Sequence, residues 1–195
     1  MTPRPVGPGR YDRRVTPAER LLAQRNALRD ATARTLLECP RPSVREILSR
    51  SGLSRATFYT HYADLSAARA DVGRAAAAAV ERALAVLLPS ASSLPDRLRA
   101  VPLALAAAHR AVPALLAAAR LPSHPAGNPS PLSETLTAAL SHCVAPPTHP
   151  GDTPAPALVE ALSQTLLAVP PDLLLPPSDL PTRLAEAATT LLTPL

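Results

Sequence analysis

Aromatic rings are nearly missing from this chain, which has one phenylalanine, three tyrosines and no tryptophan among 195 residues. Any core of useful size must therefore be aliphatic, and an aromatic-lined cleft is excluded over most of the length. There is no lysine, so all 20 basic side chains are arginine. Only two cysteines occur, Cys39 and Cys143, with no Cys-x-x-Cys and no histidine at ligand spacing. That rules out a disulfide-stapled scaffold and a sequence-encoded zinc site. The two cysteines read as buried thiols of a reducing compartment, with a disulfide or redox sensor as the other reading. His142 and Cys143 are adjacent and point to different helix faces. Neither a Gly-x-Ser-x-Gly elbow, nor a phosphate loop, nor a paired-carboxylate cluster is present, so no enzyme, metal or cofactor is expected. No window of about twenty residues is apolar and free of charge and proline. The opening Met1-Thr2-Pro3-Arg4-Pro5 lacks a signal peptide's apolar run, so a cytoplasmic protein without a membrane partner is expected.

The informative stretch is Ser43 to Tyr62, Ser-Val-Arg-Glu-Ile-Leu-Ser-Arg-Ser-Gly-Leu-Ser-Arg-Ala-Thr-Phe-Tyr-Thr-His-Tyr. Ser43 with Glu46 three residues on makes a capping box. Val44, Ile47 and Leu48 then form one apolar stripe on a helix of about two turns. Gly52 ends it by entering the left-handed region, Leu53 plugs the turn, and Ser54 caps a second short helix. Helices so short must close on a third, and the order of cap, stripe, glycine, plug and cap is that of a helix-turn-helix. Phe58 and Ala56 are the apolar members of the second helix, whereas Arg55, Thr57, Tyr59, Thr60 and His61 supply donors suited to a duplex. An ordinary helical hairpin with an aromatic plug would explain Phe58 but not the polar groups around it.

These residues resemble the tetracycline-repressor-like (TetR) transcriptional regulators. The common N-terminal pattern of that family is matched at Ser43, Val44, Ile47, Gly52, Ser54, Thr57, Phe58, Tyr59 and His61, with Leu53 and Tyr62 as close replacements. The resemblance implies that Thr57, Tyr59 and His61 contact phosphates. It places Arg45, Arg55 and Thr60 nearest base edges and has Ser43 add a backbone contact, and Ser54, the cap of the reading helix, is counted with them among the expected DNA-binding residues. Leu48 and Ser51 depart from the family's alanines, Ala56 from its glycine, and Leu65 from a phosphate-binding lysine.

Charge follows the same division. Residues 1–74 hold 14 of the 20 arginines and 7 of the 15 acids, a balance of +7, whereas residues 75–195 hold 6 and 8, a balance of −2. A positive field over the first segment suits a polyanion, although a basic solvated face would look the same.

The expected fold is all-α, with an N-terminal three-helix helix-turn-helix domain at 16–63 and an α-helical regulatory and dimerisation domain at 64–195. Residues 1–15, rich in proline, glycine and arginine, read as a disordered arm, either following DNA or frayed. Thr16-Pro17-Ala18-Glu19 starts a helix to about Glu38, with Leu21, Leu22, Leu28, Ala31, Thr35 and Leu36 as its stripe. It is expected to bury Ile47, Leu53 and Phe58. Asp64 caps a helix of about 24 residues, a rod of about 36 Å. Its stripe is Leu65, Ala68, Val72, Ala76, Ala79, Ala83 and Leu87. Further helices are expected from Asp96 to about Ala108, Val112 to Arg120 and Leu132 to about Val144, with proline-broken loops between. Two last helices, about 157–169 and 180–192, have stripes Leu158, Ala161, Leu162, Leu166 and Leu180, Leu184, Ala187, Leu191. By the resemblance these two pair across a two-fold axis into a homodimer, and packing within one protomer is the alternative.

The functional expectation is a DNA-binding regulator, most simply a repressor of a near-palindromic double-stranded operator, released by a small apolar effector. His109, Arg110, Arg120 and His142 are the candidate polar anchors of an aliphatic pocket, unless the alanine-rich helices pack shut. Leu65 in place of lysine motivates an alternative, a dimeric ligand-binding or interaction protein with weak DNA binding.

Overall fold

In the computed structural model the described residues are 16–39, 41–121, 130–144 and 156–170, with 173, 182, 183 and 185–187. The 1–15 arm, the two proline-broken loops and most of the expected helix at 180–192 lie outside them. Among the described residues the protein is all-α, with eight α-helices, one 3-10 turn and no strand. In chain order these are α1 (Pro17–Glu38), α2 (Val44–Ser51), α3 (Arg55–His61), α4 (Leu65–Leu87), α5 (Leu94–Ala111), α6 (Pro113–Ala119), α7 (Pro131–Val144) and α8 (Pro156–Ala168). The 3-10 turn, Leu88–Ser90, follows α4.

The starts are set by local chemistry. Thr16 and Ser43 each accept from the backbone N–H three residues on, and Glu19 and Glu46 reach back to the two cap N–H groups at 2.8 and 2.7 Å. Ser54 and Asp64 cap α3 and α4 in the same way, without the returning carboxylate. Gly52 sits at φ +68 and ψ 13, where a side chain would strain the backbone although its Cβ would meet nothing. α5 and α6 break at Val112, and Pro113 opens α6.

Three buried apolar clusters follow from the packing. Leu28 and Ala31 of α1 close over Ile47, Phe58, Tyr62 and Ala68, with Leu53 and Leu65 partly buried beside them. The next turn of α1 faces elsewhere, so that Ala33 and Leu36 meet Val72 of α4 and Ala118 of α6. The largest cluster joins α4 to α5, α6, α7 and α8, and consists mainly of leucine and alanine. Gly73 lets α4 approach α7 closely, since a Cβ there would stand 3.2 Å from Pro131 Cδ. Among the described residues no helix is long and apolar enough to cross a membrane.

Three sequence expectations shift. Leu21 and Leu22 are 48% and 59% exposed, because α1 closes the small cluster with its middle turns rather than its first two. Ala56 is exposed on α3. On α8 the buried face is Val159, Ser163 and Leu166, not one through Ala161, which is exposed. Ser163 is admitted because its hydroxyl donates to the Ser133 carbonyl at 3.4 Å.

The end of α8 is held by a side chain from α6. Arg120 donates to the carbonyls of Leu167 and Leu166, both at 2.9 Å, and to that of Val169. These are the carbonyls a helix end leaves without partners. Arg120→Met should cost about 2 kcal/mol by stranding them, seen as faster amide exchange in α8. Gly52→Ala should cost about 1–2 kcal/mol in urea unfolding, all of it backbone strain.

Candidate nucleic-acid interface

α3 has two unlike sides. Phe58 is fully buried and contacts Tyr59 edge-on and Tyr62 at a tilt, with ring centroids 5.4 and 5.5 Å away. On the outer side Arg55, Tyr59 and Thr60 are exposed, while Thr57 and His61 are half-buried. The Arg55 guanidinium lies 5.7 Å from the Tyr59 ring centroid, a cation–π pair across one helical turn. Thr60 donates to the Ala56 carbonyl at 3.0 Å, and Ser54 and Thr57 share a hydroxyl bond of 2.9 Å. His61 Nε2 stands 3.5 Å from Gln24 Oε1 of α1. Ser43 and Arg45, at the start of α2, are exposed, and the Ser43 hydroxyl is engaged with Glu46 at 2.8 Å. Arg55, Tyr59 and Thr60 thus share one face; His61 is drawn toward α1, and Ser43 and Arg45 sit on the neighbouring helix.

Behind this face lies a charged group that sequence reasoning passed over. Asp71 of α4 is only 2% exposed, yet it carries a carboxylate. Arg25 of α1 grips it with two hydrogen bonds, Nη2 to Oδ1 at 2.5 Å and Nε to Oδ2 at 3.3 Å. Arg74 adds a bond of 3.3 Å and Arg29 an ion pair of 3.9 Å. The Tyr62 hydroxyl, on the residue that caps α3, donates to Oδ2 at 2.9 Å. A signal was present, since Tyr62 stands where the resembled family carries phenylalanine. A buried hydroxyl needs an acceptor, and Asp71 is an acid on the same stripe as Ala68 and Val72.

Burial pushes the Asp71 carboxyl up, but the Arg25 hydrogen bonds, the Tyr62 hydroxyl and the charges of Arg25 and Arg29 outweigh it and hold the group below the usual carboxylate value. Burial, reinforced by the Asp71 hydrogen bond and charge, pushes the Tyr62 hydroxyl up to about 12.

The candidate effector residues are dispersed. Arg120 is bonded to α8 through Nε and Nη2 while its buried Nη1 lacks a partner, His109 is half-buried with Nδ1 lacking a partner, and Arg110 and His142 are exposed. A small apolar cavity of about 30 Å³ lies among Leu98, Pro102, Leu140, Leu162, Thr165, Leu166 and Ala185, and none of the four residues lines it. His142 instead stands at an open groove between α4 and α7, with Glu81 and Glu134. Among the described residues no group of three His, Cys, Asp or Glu side chains could hold a metal ion. Cys143 is buried, its thiol pushed up to about 11 by burial against the opposing charge of Arg97, whereas Cys39 is half-buried rather than sealed.

Comparison with protein-family models, with curated proteins and with solved structures found no match.

The Tyr62 hydroxyl gives a titration test. Its value lies above the ordinary 10, so its contribution to stability is complete below pH 10 and is lost as pH rises toward about 12. Tyrosinate absorbance should show a transition at about pH 12 that Tyr62→Phe removes. At the acid end the sign reverses. The depressed Asp71 value makes its contribution complete above the usual carboxylate range and lost as pH falls through it.

Proposed function

We propose that this protein is a DNA-binding transcriptional regulator, acting as a repressor and binding a near-palindromic operator as a homodimer through its C-terminal helices. The observation that carries the reading is the division of α3, with Phe58 sealed inside and Arg55, Tyr59 and Thr60 standing outside on a helix held by two neighbours. The family resemblance of Ser43 to Tyr62 and the positive balance of residues 1–74 support it. Under this reading α3 enters the major groove. Arg55, braced on the Tyr59 ring, presents donors to guanine, Thr57, Tyr59 and His61 meet phosphates, and Ser43 and Arg45 add contacts from α2. The two copies read half-sites about one helical turn apart, and a small apolar effector releases them.

One observation favours a second reading. Leu65, at the position of the family's phosphate-binding lysine, packs partly buried against the α1–α3 cluster, so that position serves the core. A dimeric ligand-binding or interaction protein with weak DNA binding would follow.

Selection of duplexes from a random-sequence library, followed by titration at two salt concentrations, separates the readings. A regulator should enrich a two-fold motif and lose affinity steeply as salt rises, because arginine contacts release counterions. No enrichment would favour the second reading. Arg55→Ala should cost about 1–3 kcal/mol on the enriched duplex and relax preference at one base pair. Thr57→Ala and Tyr59→Phe should weaken all duplexes by similar factors, and equal losses on every duplex for Arg55→Ala would remove its base-reading role.

A further inference from the structure

We infer that Asp71 is a positioning residue for the outer face of α3, setting the angle of that helix on the molecule through the Tyr62 hydroxyl. The inference rests on the DNA-binding reading for its functional consequence. α3 has seven residues, too few to be stable alone, so its orientation comes from what holds it. The Phe58 plug fixes depth, but apolar contact is non-directional and leaves a two-turn helix free to rock about it. At its start α3 follows the Gly52 turn, and at its end His61 makes only a long contact of 3.5 Å with Gln24. The short directional bond at that end is Tyr62 to Asp71, at 2.9 Å.

Its acceptor is immobilised in turn. Arg25 grips both Asp71 oxygens from α1, and Arg74 reaches Oδ1 from one turn further along α4. The carboxylate is therefore fixed to the crossing of α1 and α4, and the end of α3 is fixed to the carboxylate. A groove-reading helix must present its side chains within a fraction of an ångström to discriminate bases, whereas phosphate contacts tolerate more play. Loss of the tie should thus cost sequence discrimination before it costs general affinity.

The test uses the full chain as wild type, Tyr62→Phe and Asp71→Asn. Amide exchange is measured in the free protein. Affinity is measured for the duplex enriched by the wild type and for the unselected random-sequence pool. With Tyr62→Phe, α3 amides should exchange about tenfold faster while those of α5 and α7 do not change. Affinity for the enriched duplex should fall about tenfold, affinity for the pool should hardly change, and the salt dependence should stay the same, since no cation is removed. Asp71→Asn keeps an acceptor but loses the charge, and should move the same readouts in the same direction. Faster exchange throughout the protein would make the tie merely structural and overturn the inference. So would wild-type exchange in α3 together with wild-type discrimination. If the wild type enriches no duplex, the DNA reading fails, while selective loosening of α3 still supports the positioning of that helix by Asp71.

Discussion

The structure turns on one buried carboxylate. Asp71 could not lie 2% exposed with its charge intact unless the cost of leaving water were offset locally, and breaking such a pair strands a charge. The offset comes from several directions, through Arg25 and Arg29 on α1, Arg74 on α4 and the hydroxyl that follows α3. Arginine suits the site, because a planar fork can meet both carboxylate oxygens while its outer edge stays in water. The side chain of Arg25 does this, 47% exposed yet bonded to a group that is not. A charge that must be met from α1, α4 and the end of α3 fixes those elements relative to one another, which oily contact alone would do loosely.

The scarcity of aromatic rings shapes the remainder. With leucine and alanine as the main fillers, helices have to approach closely to exclude water, and Gly73 against Pro131 is one example. The apolar cavity near Leu140 and Leu166, at about 30 Å³, holds a water-sized group and not a drug-sized one of about 300 Å³ or more. Under the regulator reading, an effector entering there would have to part α5, α7 and α8 first. Its binding energy would then be coupled to helix movement, as release of DNA requires.

How much of this was legible follows from the range of each interaction. Caps and stops are decided within four residues, so Thr16, Ser43, Ser54, Asp64 and Gly52 could be read directly, and the helices start where those residues stand. Stripes were legible for α4, whose expected residues are buried or partly buried, and less so for α1 and α8. α1 meets α2 and α3 over one part of its length and α4 and α6 over another, so its buried residues rotate from Leu28 and Ala31 to Ala33 and Leu36, and its first leucines remain in water. Of the Asp71 cluster, the Tyr62 hydroxyl and the acid on the α4 stripe could be read, but the Arg25 pairing could not, because Arg25 and Asp71 are 46 residues apart and nothing local pairs them. For the same reason the bonds from Arg120, a candidate ligand anchor, to carbonyls 46 to 49 residues away could not be read from sequence. On α3 the burial of Phe58 and the exposure of Arg55, Tyr59 and Thr60 agree with the sequence reading, whereas the exposure of Ala56, the half-burial of Thr57 and the diversion of His61 toward Gln24 required the fold.

Position 65 joins these threads. A lysine there would carry its charge outward from the start of α4. The leucine instead adds apolar surface to the cluster beneath α3, which tightens the platform but removes a cation. The removal matters less if other cations stand near the same helix, and three arginines gather around one carboxylate beside the end of α3. Against a single negative charge they leave a surplus of two positive charges, and Arg74, 56% exposed, faces water more than it faces Asp71. Such a surplus acts through the field rather than by a fixed contact, and so would raise encounter rate and general attraction to a polyanion without specifying sequence. In a regulator of this design, attraction and orientation would draw on the same cluster, with the guanidiniums supplying one and the carboxylate they surround supplying the other.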